Sequence, residues 1–232
     1  MPETRKLAIV GYGKMGKLIE QFAPVYGFEV ALKLDEFNNA NGEGLTADNF
    51  KGIDAAIDFS IPKAVPGNAE GIASLGVNLV IGTTGWLQQV EAVKAAVAKH
   101  GIGLVWSPNF SIGVNAFLRI VAEAAKLLGS ESEYAAWAWE IHHSTKKDAP
   151  SGTLIKLVDN MSKAGYDRTI DVSSSRAGAH PGTHEIGFDS AADTITLRHT
   201  ARSREGFARG ALKAAKWVVG KKGFYEFSDI IF

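Results

Sequence analysis

The chain has no cysteine among its 232 residues. Disulfides, thiolate nucleophiles and cysteine metal sites are therefore excluded together. It has no surplus of charge either, since 25 basic residues meet 25 acidic ones. No global field recruits nucleic acid or an anionic membrane surface, so any bound anion must be held by a local cluster. No run approaches the ~20 consecutive apolar residues of a membrane span. The start, MPETRKLAIV, lacks the basic stretch, apolar core and small-residue cleavage site of a secretion leader. Internal repeats and low-complexity tracts are missing as well. These absences predict a soluble cytoplasmic protein with no nucleic-acid and no membrane partner. What remains is 46% hydrophobic and 22% charged, an ordinary globular composition.

Short apolar runs at 7–10, 28–34, 54–59, 77–81 and 102–106 alternate with helical patterns in the first half. The clearest of these helices covers 86–99, with Gly101 just past its end. Continuous apolar strands between helices predict a parallel sheet covered on both faces. The second half changes period. Residues 111–128 predict one long helix, and YAAWAWEI (134–141) alternates with a period of two. Trp137, Trp139 and Ile141 share one face; Ala136, Ala138, Glu140 and then His142 share the other. Strands at 169–173, 183–189 and 194–200, with a hairpin loop at 189–193, complete a mixed or antiparallel open sheet with two helices. A last helix at 205–219 folds back on the first half. The expected division is 1–110 plus 205–232 against 111–204.

Gly11, Gly13 and Gly16 form G-x-G-x-x-G directly between a strand and a helix, with Tyr12, Lys14 and Met15 filling the loop. The first glycine permits the tight turn, the second lets a pyrophosphate approach the backbone, and the third lets helix and strand pack closely. The helix N-terminus then offers N–H groups and partial positive charge to phosphates. Asp35 follows at the end of the second strand, about 20 residues on, where a carboxylate accepts from the adenosine ribose hydroxyls. Glu36 comes next and no arginine follows, so NADH is favoured over NADPH, with Lys33 as a dissenting cation. Gly82, Thr83 and Thr84, and Ser107, Pro108, Asn109 and Phe110, sit at other strand ends, where ligands of open parallel sheets lie. Hydroxyls suit a nicotinamide ribose and Asn109 suits a carboxamide, although Gly-Thr-Thr-Gly also serves simply to cap a helix.

The stretch EIHHSTKKDAPSGTLIKL (140–157) holds two of only six histidines, His142 and His143. Neighbours on a strand point to opposite faces, and no third histidine lies at short spacing, so no metal site is expected. Lys146 and Lys147 follow. Ser151 precedes an apolar helical run and is a natural N-cap, leaving the amides of Gly152 and Thr153 to point at an anion. A lysine, a histidine and a helix start together suit a carboxylate-bearing substrate, and a histidine can move a proton near neutral pH.

The run Glu140-x-His142-His143-x-x-Lys146-x-Asp148-Ala149-Pro150-Ser151-Gly152-Thr153 resembles dihydrodipicolinate reductase, also called 4-hydroxy-tetrahydrodipicolinate reductase. Asp58-Phe59-Ser60-x-Pro62, Asn109-Phe110-Ser111-x-Gly113-x-Asn115 and Ser203-Arg204 extend the likeness over nearly the whole chain. The glycine loop is compact and carries Lys14 where the family has arginine, and the chain is short for the family, which predicts trimmed loops.

The resemblance implies a Rossmann-like cofactor domain plus a smaller α/β substrate and oligomerisation domain, assembled as a homotetramer through the open sheet. It also implies NADH or NADPH as hydride donor and a cyclic imine dicarboxylate as substrate. His142 becomes the candidate general acid, with Lys146 donating to the charge developing on the ring nitrogen. His143, Ser151, Gly152, Thr153 and Arg204 become the carboxylate ligands. Two alternatives compete: a nucleotide-binding sensor, and a reductase of another imine or an amino-acid dehydrogenase. The His142–Lys146 pair counts against the first and the helix-start carboxylate site against the second.

Overall fold

In the computed structural model, which describes residues 4–232, the apolar runs of the first half become parallel strands. The first three residues, part of the start in which no secretion leader is expected, lie outside the described residues. The strands are β1 (Arg5–Val10), β2 (Phe28–Leu34), β3 (Ala55–Asp58), β4 (Asn78–Ile81), β5 (Gly103–Trp106) and, near the C-terminus, β10 (Gly223–Glu226). Their order across the sheet is β10-β5-β4-β3-β1-β2, all parallel. Alternate side chains feed two cores. Ala8, Val10, Leu79 and Ile81 pack under α2 (Val65–Ser74) and α3 (Val90–His100), while Leu7, Ile9, Ile57 and Val80 pack under α1 (Lys14–Phe22) and α6 (Glu205–Val218). Both faces are thus covered over the central strands β3, β4 and β5, which lack polar alternation, whereas the edge strand β2 alternates, with Glu29, Ala31 and Lys33 exposed.

Pro24 shapes the first crossover. It cannot donate to the helical ladder, so α1 stops at Phe22 and a short 3-10 turn, Ala23–Tyr26, ends on Gly27 at φ 80°.

The other unit is built from α4 (Ile112–Gly129), β6 (Ala135–His142), α5 (Gly152–Lys163), β7 (Ile170–Arg176), β8 (Thr183–Asp189) and β9 (Thr194–Thr200). The sheet order is β7-β6-β8-β9, with β6–β7 parallel and the other pairs antiparallel. Ala136, Ala138, Ile186 and Phe188 face Phe117 and Val121 of α4 and Leu154, Leu157 and Met161 of α5. Each large side chain buried here contributes about 1.5–3 kcal/mol. The small Ala136 and Ala138 let the helices approach, and Trp137 and Trp139 stand half-buried on the opposite face. The chain divides into Met1–Ile112 with Glu205–Phe232, and Gly113–Arg204. Among the described residues no helix is long and apolar enough to cross a membrane.

Candidate active site

The glycine loop follows β1. Gly11 has φ +92°, and a Cβ there would lie 2.3 Å from the Phe59 carbonyl oxygen, so no other residue fits. A Cβ at Gly16 would lie 2.7 Å from the Gly11 carbonyl oxygen, which fixes the close packing of α1 against the turn. Gly13 is different: a Cβ there would meet nothing within 4 Å. The fold itself does not require glycine at 13, and the start of α1 is open to a close approach there.

Two cavities flank this loop. One, of about 380 Å³, is bordered by Gly11, Tyr12, Gly13, Asp35, Phe37 and Asn68. The other, of about 450 Å³, is bordered by Gly13, Lys14, Met15, Gly82, Thr83 and Thr84. Gly13, Phe59 and Ser60 border both. A two-part cavity pivoting on an uncovered glycine at a helix start fits a dinucleotide, with the pyrophosphate at the pivot. Asp58 organises its floor. This fully buried carboxylate accepts from Ser60 N at 2.8 Å, Ser60 Oγ at 2.7 Å, Asn68 Nδ2 at 2.8 Å and Thr83 Oγ1 at 2.9 Å. The Thr83 hydroxyl is therefore committed to the fold, whereas Thr84 is exposed.

At the end of β2, Asp35 Oδ1 accepts from Phe37 N at 2.9 Å. Lys33 is turned elsewhere: its ammonium lies 3.1 Å from Glu20 and 5.0 Å from the centre of the Tyr12 ring. The Tyr12 hydroxyl donates to the same glutamate. Ser107 is buried, its hydroxyl exchanging hydrogen bonds with the Asn109 backbone, and Asn109 Oδ1 accepts from Ser111 N at 2.9 Å. The Phe110 ring is also buried, 4.8 Å from Phe227. Pro108 is exposed between them.

In the other unit, the buried face of β6 delivers Glu140 and His142. Glu140 is 0% exposed. Its Oε1 accepts from Ser151 N at 2.9 Å, Ser174 Oγ at 3.0 Å and Arg176 Nη2 at 2.9 Å. Its Oε2 faces His142 Nδ1 at 3.5 Å and His184 Nε2 at 3.4 Å. Burial alone would push the Glu140 carboxyl up, but the hydrogen bonds from Ser151, Arg176 and Ser174 outweigh it and hold the group below its usual value. Burial pushes His142 down, and Lys146 and Arg176 add to this while Glu140 opposes it. His184 is pushed down to about 4, mainly by burial and next by His142.

Ser151 is the N-cap of α5, its hydroxyl accepting from Leu154 N at 3.2 Å and lying 3.2 Å from His184 Nε2. Gly152 is exposed, and a Cβ there would meet nothing within 4 Å. Lys146 Nζ pairs with Asp148 at 2.7 Å, and the Asp148 carbonyl accepts from Arg176. His143 Nδ1 lies 2.7 Å from Thr145 Oγ1. Thr153 is half-buried in the first turn of α5, and Arg204 is exposed just before α6, outside this hydrogen-bonded cluster.

His184, Arg176 and Ser174 were not foreseen. They lie far along the chain and arrive through strand register: Glu140 pairs with His184 and Ser174, and His142 with Arg176. One signal was available for His184, which shares parity with Ile186 and Phe188 on a strand with a core face. It also brings a second imidazole to the Glu140 carboxylate beside His142. Glu140, His142 and His184 place ligand atoms within 4.8 Å of one another. The chemistry nevertheless opposes a dication there, because the Arg176 guanidinium already holds the one carboxylate, with Lys146 nearby. The arrangement suits movement of a proton.

Two family descriptions match the chain: "Dihydrodipicolinate reductase, N-terminus" over residues 5–110 and "Dihydrodipicolinate reductase, C-terminus" over residues 113–231. A 4-hydroxy-tetrahydrodipicolinate reductase of Thermosipho africanus is 36% identical over 228 residues, covering 97% of each chain. One from Christiangramia forsetii is 34% identical over 236 residues, again covering 97% of each. Coverage this complete shows that the short chain has counterparts of its own length. A solved dipicolinate-bound dihydrodipicolinate reductase from a Paenisporosarcina species superposes with a TM-score of 0.82 at 22% identity, over 98% of this chain and 100% of that one.

Proposed function

The chain belongs to the dihydrodipicolinate reductase family, and we propose that it reduces 4-hydroxy-tetrahydrodipicolinate to tetrahydrodipicolinate in diaminopimelate and lysine biosynthesis. The observation that carries this reading is the pinning of the α5 start to Glu140, two residues before His142, which gathers an anion-binding helix end and a proton-bearing imidazole.

NADH or NADPH supplies the hydride when bound. The residues of this chain do the rest. Gly11, Tyr12, Gly13, Lys14, Met15 and Gly16 cradle the pyrophosphate at the start of α1, and Asp35 accepts from the adenosine ribose. Gly82, Thr83, Thr84 and the Ser107–Phe110 backbone border the nicotinamide end. The substrate carboxylates take the amides of Gly152 and Thr153, the Ser151 hydroxyl, and His143 and Arg204. Lys146 leaves its exposed pair with Asp148, a contact of little strength, to face the negative charge that develops on the ring nitrogen. The 4-hydroxyl of the substrate first leaves as water, and His142 then delivers the proton to the ring nitrogen as the ring is reduced.

NADH is favoured over NADPH, because Asp35 and Glu36 would repel a 2′-phosphate and Lys33 is engaged by Glu20. The outer face of the small sheet is the assembly surface of a cytoplasmic homotetramer. There Trp139 Nε1 donates to Ser175 Oγ at 3.1 Å. Trp137 lies across Gly187, where a Cβ would fall 2.1 Å from the indole.

The test is oxidation of NADH, followed by absorbance, with substrate generated in situ from pyruvate and aspartate semialdehyde. Pyridine-2,6-dicarboxylate, a planar mimic of the ring, is expected to inhibit competitively. No turnover, together with no dicarboxylate binding, would overturn the substrate assignment.

A further inference from the structure

We infer that Glu140 is the positioning residue of the proton donor: its Oε2 takes the Nδ1–H of His142 and so commits the opposite nitrogen, Nε2, to the substrate. The inference rests on reading His142 as the general acid. Glu140 is oriented from one side only. Oε1 is saturated by Ser151 N, Ser174 Oγ and Arg176 Nη2, so the carboxylate cannot rotate without losing three hydrogen bonds. Among the described residues, neither Oε2 nor His142 Nδ1 has a hydrogen-bond partner, and they face each other at 3.5 Å. A shift of a few tenths of an ångström closes that gap to hydrogen-bonding distance. Oε2 is the acceptor that His142 Nδ1 faces, and a carboxylate oxygen can take this hydrogen bond beside His184 Nε2, 3.4 Å away.

A second observation concerns the other edge of the ring. A Cβ at Gly182 would lie 3.0 Å from His142 Nε2 and 3.1 Å from its Cδ2. Glycine at 182 therefore keeps the donor edge free of a side chain while the carboxylate holds the opposite edge.

The charges around His142 are few. Glu140 lies on its own strand, Arg176 on β7 and Lys146 and Asp148 on the following loop. His184, on β8, faces the same Oε2 from the other side, with its ring centre 5.1 Å from that of His142; His199 acts in turn on His184. With its pKa near 4, His184 is neutral at neutral pH and does not compete for the proton. Glu140 is then the main group favouring the imidazolium against burial, Arg176 and Lys146. The arrangement follows the carboxylate–imidazole logic in which a buried acid sets tautomer and stabilises the charged ring without taking the proton.

The test is a nitrogen-detected imidazole NMR titration of the full chain, run beside a pH profile of turnover. In the wild type the neutral His142 ring should carry its proton on Nδ1. In Glu140→Gln its pKa should fall by about 1 pH unit or more, and the alkaline limb of turnover should move down with it while the KM for NADH stays put. Glu140→Asp, which keeps the charge, should recover part of the shift. A wild-type ring protonated on Nε2 would overturn the inference, even if Glu140→Gln failed to fold. An unchanged His142 pKa in a folded Glu140→Gln would do the same. If the NMR coupling holds but His142→Gln keeps turnover within a few fold, the general-acid reading fails instead, and the two failures are distinguishable.

Discussion

The backbone N–H of Ser151 donates to the buried carboxylate of Glu140 across 2.9 Å, tying the start of α5 to a strand. That tie uses the main chain and survives truncation of the Ser151 side chain. The hydroxyl does separate work as the cap on Leu154 N. Ser151→Ala is therefore expected to cost about 1 kcal/mol in urea denaturation, the usual worth of a lost N-cap. On the proposed function it should also raise the substrate KM more than it lowers kcat. Unchanged stability would show that the cap contributes nothing.

His142→Gln should cut turnover by about 10²–10⁴-fold, the range for a placed general acid. Lys146→Ala should cut it by about 10²–10³-fold, the range for a fixed donor facing developing charge. Steady-state kinetics on the double variant should show less than the product of the two, since both act on one transition state. Lys147 is exposed and supplies the control. If Lys147→Ala were as damaging as Lys146→Ala, the assignment of Lys146 would have to be abandoned.

Calorimetric titration should give NADH a lower Kd than NADPH. The ion pair of Lys33 with Glu20 predicts how to narrow the gap. Glu20→Gln releases the ammonium two residues from Asp35, so NADPH should gain affinity while NADH changes little. A wild-type protein that prefers NADPH would mean that the acid pair at 35 and 36 does not govern the choice.

His184 makes stability depend on pH. Its folded pKa, about 4, lies below the ordinary value of 6.5. Between those values the unfolded chain binds the proton and the folded one does not, so stability rises with pH. It is fully present above 6.5 and falls as pH drops toward 4. At ~1.4 kcal/mol per pH unit the loss amounts to about 3 kcal/mol. Denaturation of the wild type and His184→Gln at pH values spanning this window should show a shallower acid-side decline in the variant. Parallel declines would assign the acid sensitivity to other groups.

Periodicity carried much of this fold. The runs 28–34, 183–189 and 194–200 are strands over those same residues, and the alternation of 134–141 put the alanines, Glu140 and His142 on one buried face. Two elements of the large sheet's architecture escaped. α2 reads VPGNAEGIAS, with two glycines that argue against a helix although its proline suits the first turn, and it forms because Val65, Ala69, Ile72 and Ala73 pack on the sheet. β10 is only GFYE, too short to show a period, and it exists because the edge of β5 offers it a ladder. The local half of the candidate site, from Glu140 to Thr153, is continuous in sequence and could be read there. The other half depends on which strands become neighbours, and nothing local specifies that.

The cross-strand row through Ser174, Glu140 and His184 has a consequence for how the small sheet is threaded during folding. A one-residue slip of β8 turns all its side chains over. Ile186 and Phe188 would leave the core, and in one direction Glu185 would come to lie opposite Glu140. Two carboxylates forced into one buried site repel strongly. Slipped in that direction, the strand meets an electrostatic barrier as well as a loss of apolar burial, so the same glutamate that orients an imidazole also disfavours one of the two wrong pairings as the sheet assembles.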